Sequence, residues 1–265
     1  MLLVPSSDIV RATEDRVEAA TKSETRSDGR KPDELRPYKI ETDYLKAPLG
    51  SALVRAGETW VLCTASVDEQ QPPFLRAQRS QSGWVTAEYS MLPGSTKDRA
   101  GRGPNGRSKE IERLIGRSLR AAVDRKRLGA RTVTIDCDVL QADGGTRTAA
   151  ITGGYVALAL ALRGLRERGL LTEDPLLRQV AAISVGVVDG EPLLDLCYEE
   201  DSRAAVDMNV VVAASPQGPR FVELQGTGEH DTFDRRELDA LCDLALGGAR
   251  DLFTLQSQVL AQAGG

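Results

Sequence analysis

The segment Asp143-Gly144-Gly145-Thr146-Arg147-Thr148 stands between an alternating run of apolar and polar residues and a long apolar run, so it closes a strand and opens a helix. The first turn of a helix leaves backbone N–H groups without partners, and these attract an anion. Two glycines let the backbone close on such an anion. The Thr146 hydroxyl can donate to it, and Arg147 supplies a planar charged fork. Taken alone, the same residues suit a tight strand-to-helix turn whose arginine lies in solvent equally well. The G-x-x-x-x-G-K spacing of a P-loop is absent.

A second helix start is expected at Ser108, a good N-cap residue, with Glu110 and Glu112 in the first turn. Arg107 would then project from just ahead of it, and two helix starts with adjacent arginines can converge on one phosphate. Acidic residues gather elsewhere: from Asp195 to Asp207 there are five acids against one base. Asp201, expected in a loop, and Asp207, expected at a strand edge, can share a hard cation such as Mg²⁺. That ion takes one or two carboxylates and leaves room for water and phosphate. A solvated acidic loop is the bland alternative.

Lys97 to Arg131 holds twelve Lys or Arg against four Asp or Glu, a balance suited to a polyanion although the whole chain carries −5. Within it Lys109, Arg113, Arg117 and Arg120 recur on one helix side, the pattern of a solvated face or of subunit salt bridges. Arg99 and Arg102, flanked by glycine in the loop from Ser95 to Gly103, are better placed to follow a phosphodiester chain. His230 is the only histidine, which excludes a His-rich metal site and leaves a Ser-His-Asp triad on one unsupported candidate. Cys63, Cys137, Cys197 and Cys242 are far apart, form no C-x-x-C pair, and read as small buried side chains in a reducing compartment.

The elements that must position these groups are legible from period and punctuation. Trp60 to Val67 is rich in β-formers and follows a turn at Gly57 from the Ala52-Leu53-Val54 run. Val133, Ile135, Cys137 and Val139 alternate with polar residues, as in a half-buried strand. Val180 to Val188 and Pro192 to Leu196 flank Asp189-Gly190, a hairpin turn. Strands are also expected at Val206 to Ala213 and Arg220 to Leu224. A helix after Ser108 shows Ile111, Leu114, Ile115, Leu119 and Val123 on one face, and one from Thr148 to Arg168 is apolar nearly all round and therefore buried. A third follows Asp234, with Glu237 completing a capping pair.

Runs of strands punctuated by single helices imply an α+β fold with mixed sheets. With 265 residues, 41% hydrophobic and 28% charged, one sizeable core is affordable, and residues 26–260 read as a single domain. Residues 1–25 read as an appended segment, poorly ordered or with a short helix from Ile9 to Ala20, and 261–265 as a tail. No apolar run approaches a membrane span and the N-terminal apolar residues are too few for a signal peptide, so a cytoplasmic protein without a membrane partner is expected.

Several passages together resemble the ribonuclease PH family over about residues 26–258. They are Arg26-Ser27-Asp28-Gly29-Arg30 with Leu35-Arg36-Pro37, Gly83 to Pro93, Glu110 to Arg117, Asp136 to Thr148, and Tyr198 to Asn209. The resemblance implies a ribonuclease PH-like fold of two related β-α-β-α halves. It also implies phosphorolytic 3′-5′ exoribonuclease activity on the 3′ ends of tRNA precursors, releasing nucleoside 5′-diphosphates and reversible toward nucleotide addition. It assigns inorganic phosphate to Arg107, Gly145, Thr146 and Arg147, and catalysis or Mg²⁺ binding to Asp201 and Asp207, with Asp201 favoured as proton donor. Arg99 and Arg102 are implied to contact the tRNA body, and a homohexamer, a trimer of dimers, is implied as the assembly.

The chain departs from the family pattern at Gly94, where an arginine commonly follows Met-Leu-Pro, in a shorter loop before Arg107, and in its N-terminal extension. These changes bear on tRNA affinity and leave the phosphate residues untouched. Two competing readings are a non-catalytic RNA-binding subunit of an exosome-like ring and a metal-dependent hydrolytic nuclease. The first should lack phosphate ligands or the acidic pair; the second leaves Arg107 and Arg147 without a purpose.

Overall fold

Alternation and turn chemistry resolve into two sheets in the computed structural model, which describes residues 26–103 and 105–263. The extension, with its expected helix from Ile9 to Ala20, lies outside the described residues. The first half contains β1 (Tyr38–Thr42), β2 (Gly50–Ala56), β3 (Thr59–Asp68), α1 (Pro73–Ala77), β4 (Trp84–Met91), α2 (Gly106–Arg120), α3 (Arg125–Leu128) and β5 (Thr132–Gln141). Its sheet runs β1-β2-β3-β5-β4. Neighbours are antiparallel except β4 and β5, which α2 connects as a crossover and which therefore run parallel. Val133, Ile135, Cys137 and Val139 of β5 all face the core, as their period of two requires.

Helix α4 (Thr146–Glu167) leads into the second half: β6 (Val180–Val188), β7 (Glu191–Leu194), α5 (Tyr198–Asp201), β8 (Val206–Ala213), β9 (Arg220–Gly228) and α6 (Arg235–Gln262). The second sheet, β7-β6-β8-β9, is antiparallel throughout. Asp189 and Gly190 both have positive φ, the mark of the tight hairpin that joins β6 to β7. By length and composition α4 could cross a membrane, contrary to the sequence reading, yet 89% of its apolar window is buried inside the protein. Its apolar surface packs on β2 and β3 on one side and on β6 on the other.

Two buried polar side chains tie the halves at this helix. Thr152 donates to the Ala182 carbonyl at 3.2 Å and accepts from the Ala182 N–H at 3.1 Å. Gln256 of α6 donates to the carbonyls of Thr152 and Val180 at 3.1 and 2.9 Å. Such bonds add little net energy, but leaving the groups unpaired would be costly, so they specify how α4, β6 and α6 meet.

The α2 start differs from the expectation. Asn105, not Ser108, is the N-cap: its Oδ1 accepts from Ser108 N at 2.8 Å, while Ser108 Oγ accepts from Asn105 N at 3.0 Å. Asparagine caps as well as serine, and serine at the third helical position reciprocates as glutamate does in the usual box. The helix begins earlier, its first turn holds no acid, and Arg107 lies within that turn rather than ahead of it.

Candidate active site

Strand β5 and helix α4 meet in a turn whose two glycines have different reasons to be there. Gly144 and Gly145 both take positive φ, +72° and +64°. A Cβ on Gly144 would lie 2.7 Å from the Leu196 carbonyl oxygen and 2.9 Å from Tyr198 N, so the turn presses directly on the backbone that starts α5. Gly145 is the N-cap of α4 and brings no capping side chain, so the first-turn N–H groups are left for another acceptor. Thr59 holds the turn from behind, accepting from Asp143 N at 2.9 Å and donating to the Gly144 carbonyl at 2.6 Å. Tyr89 of β4 lies 2.8 Å from the Thr146 hydroxyl.

Arg36 joins this turn to the acidic segment. Its Nη1 donates to the Asp143 carbonyl at 2.5 Å, while Nε and Nη2 form a two-point bridge to Asp195 at 3.0 and 2.7 Å, fully inside the protein. Burial opposes its charge, but Asp195 beside it more than compensates and raises the guanidinium pKa. Arg26 makes a comparable clasp on buried Glu200, through Nε at 2.7 Å and a second, shorter bond from Nη2. Glu200 closes the capping box of α5 on Cys197 N. Asp201, the last residue of α5 rather than a loop residue, is thereby carried on a braced turn of helix.

Strand register supplies the other wall. Asp207 and Asn209 are two apart in β8 and share a face. Asp207 sits opposite Thr227 and Asn209 opposite Gln225 on β9, while Ser184 of β6 lies opposite Asn209. All five line a cavity of about 460 Å³ together with Arg107, Gly144, Gly145, Thr146, Arg147 and Asp201. The structure thus brings together six of the eight residues singled out from the sequence. Arg99 and Arg102 stand outside it, exposed on the loop between β4 and α2.

Ser184, Asn209, Gln225 and Thr227 were missed. Alternation along β8 could have added Asn209 once Asp207 was chosen; the others depend on strand pairing. The basic stripe of α2 is partly engaged within the chain: Arg117 bridges Glu223, and Arg120 lies over the Trp84 ring and donates to the Val85 carbonyl. Of the four cysteines, Cys63 and Cys137 are buried, but Cys197 and Cys242 are only partly so, because each sits at or near an exposed helix end or face.

Electrostatics couple the two sides of the cavity. Burial pushes the Asp207 carboxyl up to about 6, helped by the nearby Asp201 and opposed by Arg147 and Arg107. Asp201 is raised as well, first by burial, with Arg107 and Arg147 pulling the other way. Two partly buried carboxyls, one of them hindered from ionising by the other, present negative charge that a cation would relieve. Two carboxylates with open space beside them suit Mg²⁺, which keeps waters and phosphate oxygens in its shell. No cluster of three or more metal-ligating side chains occurs among the described residues.

A mixed five-stranded sheet and an antiparallel four-stranded sheet, meeting at a cavity with cationic and anionic walls, define a protein built to handle phosphate esters. The chain belongs to the ribonuclease PH family: domain 1 of the 3′ exoribonuclease family matches residues 34–163 and domain 2 matches residues 178–248. Ribonuclease PH of Corynebacterium diphtheriae is 56% identical over 243 residues, covering 90% of this chain and 98% of that protein. Ribonuclease PH of Crocosphaera subtropica is 52% identical over 241 residues, covering 90% and 98%.

Among solved structures, an Archaeoglobus fulgidus exosome with RNA bound to the active site has a TM-score of 0.75 at 22% identity, covering 94% of this chain and 99% of that one. Rice Rrp46 has a TM-score of 0.72 at 20% identity, covering 89% and 100%. At those identities the likeness establishes the fold, and it agrees with the α+β, ribonuclease PH-like architecture expected from the sequence.

Proposed function

We propose that this chain is a phosphate-dependent 3′-5′ exoribonuclease that trims the 3′ ends of tRNA precursors in the cytoplasm as a homohexamer, a trimer of dimers. The observation that carries the reaction is one cavity in which Arg107, Arg147 and the uncapped start of α4 face Asp201 and Asp207. The names of the 52–56% identical relatives support the same activity.

In this reading inorganic phosphate sits on the α4 N–H groups, the Thr146 hydroxyl and the two arginines. One of its oxygens attacks the phosphorus of the last phosphodiester. The bond from that phosphorus to the 3′ oxygen of the preceding nucleoside breaks, and a nucleoside 5′-diphosphate leaves. Bringing two anions together is the main obstacle, so fixed positive charge in a half-buried site is the main contribution of the chain. The departing 3′ oxygen needs a proton, and Asp201, raised by burial, supplies it. Mg²⁺, held by Asp207 beside it, would neutralise charge on the phosphates when bound.

Arg99 and Arg102, on an exposed loop whose neighbour Thr96 reaches the cavity rim, are the residues proposed to follow the RNA body. Exposed Phe221 and Leu224 on edge strand β9 support burial against another copy. Lack of pairing among the four cysteines suits a reducing compartment.

The test is a 3′-extended tRNA incubated with Mg²⁺, with and without phosphate, with the nucleotide products identified and the native mass measured alongside. Diphosphates that appear only with phosphate support the proposal. Monophosphates would mean hydrolysis, and no release from folded protein would mean a structural subunit.

A further inference from the structure

Tyr198 is the only phenylalanine, tyrosine or tryptophan among the described residues lining the site cavity, and it is 64% exposed. Water does not favour so much bare aromatic surface, and the ring covers no core. The backbone beneath it is held firmly: Tyr198 N donates to Asp143 Oδ1 at 3.1 Å, and the Tyr198 carbonyl accepts from Ser202 N at 2.9 Å. The Arg26–Glu200 clasp braces the same turn. Its phenol makes no hydrogen bond among the described residues. An aromatic ring on a braced backbone therefore stands beside the phosphate turn, three residues from Asp201, with nothing among the described residues stacked on it.

We propose that Tyr198 is the platform on which the base of the RNA 3′-terminal nucleotide stacks while its phosphodiester is attacked. Base and scissile phosphate are separated by one ribose, so a ring on the cavity wall next to the phosphate turn is suitably near. An enzyme that removes nucleotides in succession meets all four bases at one position. Stacking tolerates this because every base has a flat face, whereas hydrogen-bond readout would select among them. The inference rests on the phosphorolytic reading for the identity of the attacked bond, but not for the binding itself.

The experiment compares the wild type with Tyr198→Ala, Tyr198→Phe and Tyr198→Trp. It measures the Kd of single-stranded RNA oligonucleotides ending in each of the four bases, without phosphate, and then the KM for phosphate with RNA saturating. Tyr198→Ala should weaken RNA binding by about 5- to 150-fold for every terminal base, the range that a stacked base contributes. Phenylalanine and tryptophan should restore it, and the phosphate KM should stay unchanged in all three. Unchanged RNA affinity in the alanine variant overturns the proposal, including the case where only the native mass shifts, which would make Tyr198 a contact between copies. Equal loss in Tyr198→Phe also overturns it, since the hydroxyl rather than the face would then matter. If the wild type released no diphosphate but the affinity loss persisted, the phosphorolytic reading would fall while the platform stood.

Discussion

Arg147 extends from the first turn of α4 to strand β9, where its Nη1 donates to Gln225 Oε1 at 3.0 Å. Gln225 Nε2 donates in turn to Glu110 Oε1 of α2 at 2.8 Å, and Glu110 Oε2 lies 3.7 Å from the same guanidinium nitrogen. Three elements from both halves of the chain thus hold one arginine over the cavity before any anion arrives. A guanidinium held in place loses less freedom when phosphate binds. Gln225→Leu should therefore raise the KM for phosphate by about tenfold, equivalent to roughly 1.4 kcal/mol. Arg147→Ala should raise it more, and neither variant should change RNA affinity appreciably. Steady-state kinetics with phosphate and RNA varied separately make the check; a change confined to RNA would mean that Arg147 serves the RNA instead.

Gly144 and Gly190 share a positive φ but differ in surroundings, and alanine at each separates strain from collision. Around Gly190 an added Cβ meets nothing within 4 Å, so Gly190→Ala should cost about 1 kcal/mol of stability and leave activity intact. At Gly144 it meets the backbone of Leu196, Cys197 and Tyr198, which cannot move aside without displacing α5. Gly144→Ala should lose both more stability, roughly 2–4 kcal/mol, and most of the turnover rate. Denaturant melts and turnover on the same preparations would decide; equal effects at the two sites would dismiss the close approach as the reason for Gly144.

The Arg36–Asp195 pair is buried, whereas Arg235 and Asp239, 2.8 Å apart, are mostly exposed. Asp195→Asn leaves a guanidinium without its counter-charge inside the protein and should lower stability by about 3–5 kcal/mol. Asp239→Asn should cost well under about 1 kcal/mol, because solvent screens that pair. Urea unfolding midpoints for the two variants, read at one pH, test the contrast.

For Asp207 the folded carboxyl titrates near 6 against an ordinary value of 3.8. Between these values the folded chain binds more protons than the unfolded chain, so stability falls as pH rises through that window and the loss is complete above it. Asp207→Asn should therefore unfold at a higher temperature than the wild type at pH 7.5 in EDTA, by up to about 3 kcal/mol in stability, and should gain nothing at pH 4. Adding Mg²⁺ should stabilise the wild type and not the variant. Thermal melts at both pH values suffice, and a variant no more stable than the wild type at pH 7.5 would contradict the burial assigned to this carboxyl.

Local physics makes much of this protein legible in its sequence. The period of two in β5, the all-round apolar surface of α4, the Asp189-Gly190 hairpin and the Asp234–Glu237 cap each depend on residues close together in the chain. The glycine turn and the acidic pair were recognisable for the same reason, as was their family pattern. At the start of α2 the sequence points to Ser108, but Asn105 caps as well and the two side chains share the cap, with Asn105 as the N-cap itself.

Tertiary structure alone decided what the pieces do to one another. Arg36 and Asp195 are 159 residues apart, and Arg147 and Gln225 are 78 apart; only sheet pairing and the passage of α4 between the sheets bring them into contact. The glycine turn looked like an adaptation to phosphate, yet Gly144 is required by a neighbouring stretch of backbone that no spacing rule connects to it. The exposure of Tyr198 likewise follows from how α5 is clasped rather than from its residue type. Residue types determined which chemistry was available; the packing of both sheets on α4 placed its charges within reach of one another.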